Sequence, residues 1–176
     1  MNRYRQLLEL VRDKKPKHVI EIGTWDGKRA IEMMAVSNCY YTGFDLFEKM
    51  TKEIDKKELN VKPHNSLVDV GKYIENAGFS KFCLIRGNTN ELLKPYFENG
   101  AEPFDFCFID GGHSVKTIKN DYKWISKYID KDGTIIIDDY YDPELEGFGC
   151  NFLKDEGEVL PSKDKTPNGI VHLLKI

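Results

Sequence analysis

The sequence predicts an α/β fold: a doubly wound sheet, mostly parallel, closed by an antiparallel strand pair. Three observations predict it. Strand-like and helix-like segments alternate along the chain, the central strand-like runs are short and continuously apolar, and two further apolar runs flank a polar, turn-rich stretch near the end. Alternation calls for crossover connections, and continuous apolar runs mark strands covered on both faces.

The elements follow in order. Tyr4, Leu7, Leu8 and Val11 recur at helical spacing, so an amphipathic helix spans residues 4–14 and Pro16 ends it. Residues 18–22 read as a strand stopped at Gly23, and an Ala/Met/Ile-rich helix follows over 27–37. A second strand spans 40–46. Residues 47–66 are highly charged with a weak apolar stripe, and 60–65 reads as a loop around Pro63. A helix over 66–77 stops at Asn76-Ala77-Gly78. Residues 82–86 form the third strand, and 90–97 a short helix that tolerates Pro95. Residues 104–110 form a fourth strand, too apolar to be half exposed. Ser114 caps a helix carrying Val115, Ile118, Tyr122, Ile125 and Ile129 on one face. Asp132-Gly133 turns into the fifth strand, 134–138. Residues 158–160 and 170–174 form the closing pair around a loop over 161–168.

Length and composition exclude several classes. At 176 residues the chain fits one domain. Hydrophobic residues make up 40% and charged residues 31%, an ordinary globular balance. The formal net charge of -3 gives no general attraction to nucleic acid or to an anionic membrane. No apolar stretch is long enough to span a bilayer, and the opening residues do not form a signal-peptide core. Cys39, Cys83, Cys107 and Cys150 form no C-x-x-C pair, and Cys83 and Cys107 sit in apolar runs as small hydrophobes. Reduced cysteines point to a cytoplasmic protein.

The residues suited to chemistry collect where strands end: Gly23, Asp45, Gly87-Asn88, Asp110 and Asp138-Asp139. In an open α/β sheet those carboxyl ends form the ligand crevice. Gly23-Thr24-Trp25-Asp26-Gly27 lets backbone approach a ligand at a helix N-terminus, or simply makes a strand-to-helix turn. Trp25 occupies the second glycine position of the dinucleotide fingerprint, which weighs against a nicotinamide cofactor. Asp45 suits the two hydroxyls of a ribose, or the capping of the segment after it.

Residues 19–27, 43–45, 104–113 and 133–140, taken together, resemble the class I methyltransferases that use S-adenosylmethionine (SAM). The likeness is to the branch of macrocin-type sugar O-methyltransferases and, more distantly, catechol-type O-methyltransferases. It covers about 17–142 and, loosely, the closing hairpin. It implies a single Rossmann-like domain over 1–176 in which Glu21, Gly23, Thr24 and Gly27 surround the methionine part of SAM. Trp25 departs from the more glycine-rich family loop. Asp45 would hold the ribose, Leu46 would flank the adenine, and Asn88 and Thr89 would meet its edge and ring. Asp110 and Gly111 would border the cofactor.

Catechol-type relatives bind Mg²⁺ at positions matching Asp110, Asp138 and Asp139, and carboxylates are the hard ligands that Mg²⁺ accepts. His113 matches a lysine base in catechol-type enzymes and a histidine in macrocin-type ones, and imidazole suits proton removal from an alcohol. His18, His64 and His172 read as structural or exposed. The expectation is therefore methyl transfer to a hydroxyl of a small molecule, sugar or phenol, with His113 as base and Mg²⁺ assistance. A SAM-binding, non-catalytic partner or regulatory module is the alternative. Acceptor recognition falls to residues 47–66 acting as a lid, to 140–160, or to a second subunit of a homo-oligomer. The fourth strand's end carries no N-P-P-Y tetrapeptide of base-amino methylating enzymes, so nucleic acid is not the expected acceptor.

Overall fold

The computed structural model describes residues 2–60 and 62–176. One seven-stranded sheet runs through it in the order β3-β2-β1-β4-β5-β7-β6. The strands are β1 (His18–Ile22), β2 (Tyr40–Asp45), β3 (Phe82–Arg86), β4 (Phe106–Ile109), β5 (Thr134–Asp142), β6 (Glu158–Thr166) and β7 (Gly169–Lys175). Strands β1 to β5 pair in parallel, and β7 runs antiparallel to both β5 and β6. The helices are α1 (Arg3–Lys14), α2 (Lys28–Ser37), α3 (Lys52–Lys57), α4 (Leu67–Asn76), α5 (Thr89–Glu98) and α6 (Val115–Tyr128). The strand order reverses between β1 and β4, which puts the crevice at their carboxyl ends.

Successive side chains of a strand point to opposite faces, and the core divides accordingly. Val19, Phe106, Phe108, Ile136 and Leu173 pack with Leu7, Met33 and Ile74, on the face covered by α1, α2 and α4. Ile20, Cys107, Ile109, Ile137 and Leu174 pack with Leu93, Phe97, Ile118 and Ile125, on the face covered by α5 and α6. Because both faces are covered, the central strands contain no polar alternation. The helix ends obey local chemistry. The Asn2 side chain accepts from the Tyr4 and Arg5 amides, Ser66 caps α4, and Ser114 caps α6 as expected.

Three boundaries differ from the sequence expectation. Strand β4 is shorter at both ends than 104–110. Strand β5 continues past Asp138 to Asp142, with a register irregularity between Ile137 and Tyr140. Strand β6 fills most of the expected loop, so only Pro167 and Asn168 remain as the turn between Thr166 and Gly169. Cross-strand bonds explain the extension of β6: the Ser162 amide donates to His172 Nδ1 at 2.9 Å, and the Ser162 hydroxyl donates to the Val171 carbonyl. All four cysteines are free, but Cys83 is exposed, because β3 is an edge strand. Among the described residues no helix is long and apolar enough to cross a membrane.

Candidate active site

A cleft opens at the carboxyl ends of β1, β2, β3 and β4. Its floor includes Gly23, Trp25, Asp45, Leu46, Asn88, Thr89, Asp110, Gly111 and His113, and its other wall comes from Met50, Ile54, Lys57, Glu58, Asn60, Lys62 and His64. Most of the residues singled out in the sequence thus share one cavity.

Close approach of two loops shapes the floor. Gly23 has φ +96°, and a Cβ there would lie 2.0 Å from the Asp110 carbonyl oxygen, so no side chain fits. The Trp25 amide donates to Asp45 Oδ2 at 2.8 Å, and the Phe47 amide donates to Oδ1 at 2.7 Å. Asp45 therefore caps the segment after it, as one of the two sequence readings held. A carboxylate has about four acceptor positions, so two remain for ligand hydroxyls. Asn88 caps α5, accepting from the Asn90 amide at 3.0 Å.

Trp25 has a use that the local sequence does not reveal. Its indole N–H donates to the Pro63 carbonyl at 2.8 Å, and the Lys62 ammonium lies 4.7 Å from its ring centroid. The side chain that fills a usual glycine position thus holds the charged segment against the cleft. A second tie comes from Glu58. Its carboxylate accepts from the Ser114 amide at 2.8 Å, from the Ser114 hydroxyl at 3.0 Å and from the Thr117 hydroxyl at 2.9 Å. It sits at the N-terminus of α6, where negative charge is favoured. His64, read as structural, lines the same wall and bonds Asp55 at 2.8 Å.

Glu21, Thr24 and Gly27 do not line the cleft. Glu21 is buried beneath the loop and accepts from the Tyr41 hydroxyl, which lies 3.1 Å from Thr24 Oγ1. Burial pushes the Glu21 carboxyl up to about 8. A Cβ on Gly27 would come 2.9 Å from a methyl of Val70, so this glycine serves the packing of α2 on α4.

The acid after β4 and the two acids within β5 divide between partners, Asp138 and Asp139 facing opposite ways at the register irregularity of β5. Asp139 faces His113, with Oδ2 3.5 Å from His113 Nε2, while its Oδ1 accepts from the Tyr141 hydroxyl at 2.9 Å. The stretch after β5 locks the pair: Gly149 N–H donates to the His113 carbonyl at 2.8 Å, and Cys150 N–H to the Asp139 carbonyl at 3.1 Å. Asp138 points instead toward α1, like Ile136 two residues before it. Arg3 Nε donates to both its oxygens, at 2.8 and 2.9 Å. The Tyr4 hydroxyl donates to Asp110 Oδ2 at 3.1 Å. Burial raises all three carboxyls, that of Asp138 to about 6 with Asp110 adding to the rise and Arg3 opposing it. Arg3, Tyr4 and Glu58 are the participants that the sequence did not mark.

These positions bear on the Mg²⁺ expectation. The donor atoms that lie within 4.8 Å of one another belong to Asp110, His113 and Asp139. Asp138 is not among them. The three expected carboxylates are thus not presented together, and the imidazole that completes the trio is a ligand for softer metals than Mg²⁺. The residues do not fit a three-carboxylate Mg²⁺ site with a free histidine beside it.

A model of the methyltransferase domain matches residues 20–140. Over 57 residues the chain is 35% identical to uncharacterized protein R132 of Acanthamoeba polyphaga mimivirus, covering 32% of this chain and 26% of that one. The chain therefore spans about a quarter of the length of that relative. Among solved structures, the O-methyltransferase TomG of Streptomyces achromogenes, crystallised with SAM, superimposes with a TM-score of 0.71 at 16% identity, covering 98% of this chain and 78% of TomG. The N-methyltransferase NodS of Bradyrhizobium japonicum gives 0.68 at 13% identity over 98% and 92%. An rRNA methylase of Streptococcus thermophilus gives 0.68 at 12% identity over 99% and 95%. All three share this fold and differ in acceptor.

Proposed function

The chain belongs to the methyltransferase domain family, and from that premise we propose that it transfers the methyl group of SAM to a hydroxyl oxygen of a small molecule, with His113 as general base. The observation that carries this reading is the His113–Asp139 pair: His113 lines the cleft, and the buried Asp139 lies behind it, 3.5 Å away. A base and an orienting carboxylate are what deprotonation of an alcohol requires. A non-catalytic SAM-binding module would leave the pair without a use.

The cleft suits SAM on three counts. Gly23 keeps the loop low, Asp45 retains acceptor capacity toward a ribose, and Gly87 to Thr89 open a slot beside Leu46. When bound, SAM supplies an electrophilic methyl group on a sulfonium. The protein's part is to bring the acceptor oxygen in line and remove its proton. His113 accepts that proton, and Asp139 holds the ring and balances the imidazolium. Residues 47–66 act as a lid tied down by Trp25 and Glu58. Four free cysteines suit the reducing cytoplasm.

The test is calorimetry with SAM, followed by transfer of labelled methyl to a panel of sugars and phenols. Wild type and His113→Ala are expected to bind SAM within about twofold of each other, while the variant loses at least about a hundredfold in turnover. Failure of the wild type to bind SAM overturns the function. Undiminished turnover by His113→Ala removes the base.

A further inference from the structure

The cluster formed by Asp110 after β4 and by Asp138 and Asp139 in β5 already contains a cation, and it comes from α1. We propose that the Arg3 guanidinium is the resident cation of this site, so that methyl transfer by this chain needs no divalent metal. This rests on the methyltransferase reading above.

The geometry is that of a built site. Arg3 Nε donates to both Asp138 oxygens, at 2.8 and 2.9 Å, and the Asp138 side chain is 0% exposed. The guanidinium cannot swing away easily. Its Nη1 bonds Asp164 at 3.1 Å, the Arg3 amide bonds the same carboxylate at 3.0 Å, and its central carbon sits 4.4 Å from the Tyr4 ring centroid. Tyr4 in turn covers one oxygen of Asp110 at 3.1 Å. The first turn of α1 therefore engages two of the three carboxylates that the catechol-type pattern assigns to Mg²⁺. A guanidinium stays charged at every working pH. A divalent ion on Asp138 would sit at ion-pair range from it and be repelled.

Strand alternation explains why Asp138 is available to α1. It shares a face with Ile136, which packs with the α1 residues Leu7 and Val11. Asp139 is left to His113. In this arrangement Arg3 is a positioning residue: it neutralises Asp138 and fixes the edge of the acceptor site without touching the reacting atoms.

The experiment is a titration with Mn²⁺ followed by electron paramagnetic resonance, on wild type, Asp138→Asn, Arg3→Gln and the double variant. Wild type and Asp138→Asn are expected to bind Mn²⁺ equally weakly. Arg3→Gln frees Asp138 and is expected to bind at least about tenfold more tightly, and the double variant to lose that gain. Wild-type turnover after chelation is expected to stay within about twofold of the untreated enzyme. The proposal is overturned if Asp138→Asn weakens wild-type Mn²⁺ binding tenfold, or if chelated wild type loses turnover and recovers it with Mg²⁺ or Mn²⁺. The wild-type and Asp138→Asn comparison, together with chelation of the wild type, decides the matter even if Arg3→Gln does not fold, because chelation also tests the Asp110, His113 and Asp139 donors. Calorimetry with SAM on the same wild type separates the two claims, because absent SAM binding defeats the methyltransferase reading while the Mn²⁺ comparison still judges Arg3.

Discussion

Glu21 and Asp45, at β1 and β2, bond a hydroxyl and two backbone amides, whereas Asp138 and Asp139, at the end of β5, face a guanidinium and an imidazole. All four are carboxylates, and all four lie toward the carboxyl ends of their strands. The element that crosses above each carboxylate makes the difference. Over β1 and β2 the chain folds back on itself, and acids there hold loops in shape. Over β5 a distant helix and the loop after β4 supply a guanidinium and an imidazole, and acids there serve as their partners. The comparison teaches that a carboxylate at a sheet's carboxyl edge is a scaffold part or a charge partner according to what packs on it.

The sharpest way to break this contrast is Asp139→Asn. If Asp139 serves charge, turnover is expected to fall about a hundredfold with SAM affinity unchanged, measured by single-turnover kinetics and calorimetry. Asp45→Ala tests the other side. It removes acceptors for the Trp25 and Phe47 amides and for a ribose, so SAM affinity is expected to fall about thirtyfold while turnover at saturation changes less. Equal losses of affinity in both variants would erase the distinction.

A smaller effect is expected at the lid. Glu58→Gln weakens three hydrogen bonds to the α6 N-terminus, and amide hydrogen exchange over residues 51–60 should quicken about tenfold. The smallest concerns Glu21. Its carboxyl keeps a proton up to about pH 8 in the fold, against 4.5 as the ordinary value. The unfolded chain therefore releases that proton first, and the stability contributed below pH 4.5 is lost as pH rises through 8. Glu21→Gln carries no such proton. Relative to wild type it should gain roughly 5 °C in melting temperature between pH 5 and pH 8. A pH-independent difference would show that Glu21 is ionised in the fold.

Much of this architecture is legible in the chain itself, for a physical reason. Val19 to Ile22 and Phe106 to Ile109 are buried on both sides, so their apolar runs announce strands, and Ser114 announces the helix it caps. Other features depend on partners far away in sequence. Asp138 looks like any acid after a strand until Arg3, 135 residues earlier, is seen on it. Glu58 is one more charge in a run of lysines and glutamates. Trp25 reads as a defect in a glycine loop, although Pro63 explains it. Strand β6 hides because Lys163 and Lys165 are solvent-exposed and its hydrogen bonds go to β7. Local pattern reveals elements, but the second half of an ion pair leaves no periodic trace.

The contact of Arg3 with Asp164 joins residues 161 apart. Closing so long a loop is entropically slow, and it rewards the chain only after the intervening sheet is in order. The opening turn of α1 is thus docked on β5 and on β6, both far along the chain. The Arg3–Asp164 contact is therefore expected to form late, once the β6–β7 hairpin has found its place. A chain whose parallel core is already formed would still lack it. In refolding, the buildup of secondary structure should precede the recovery of a competent acceptor site, so the order of events in time becomes a readout of one side chain.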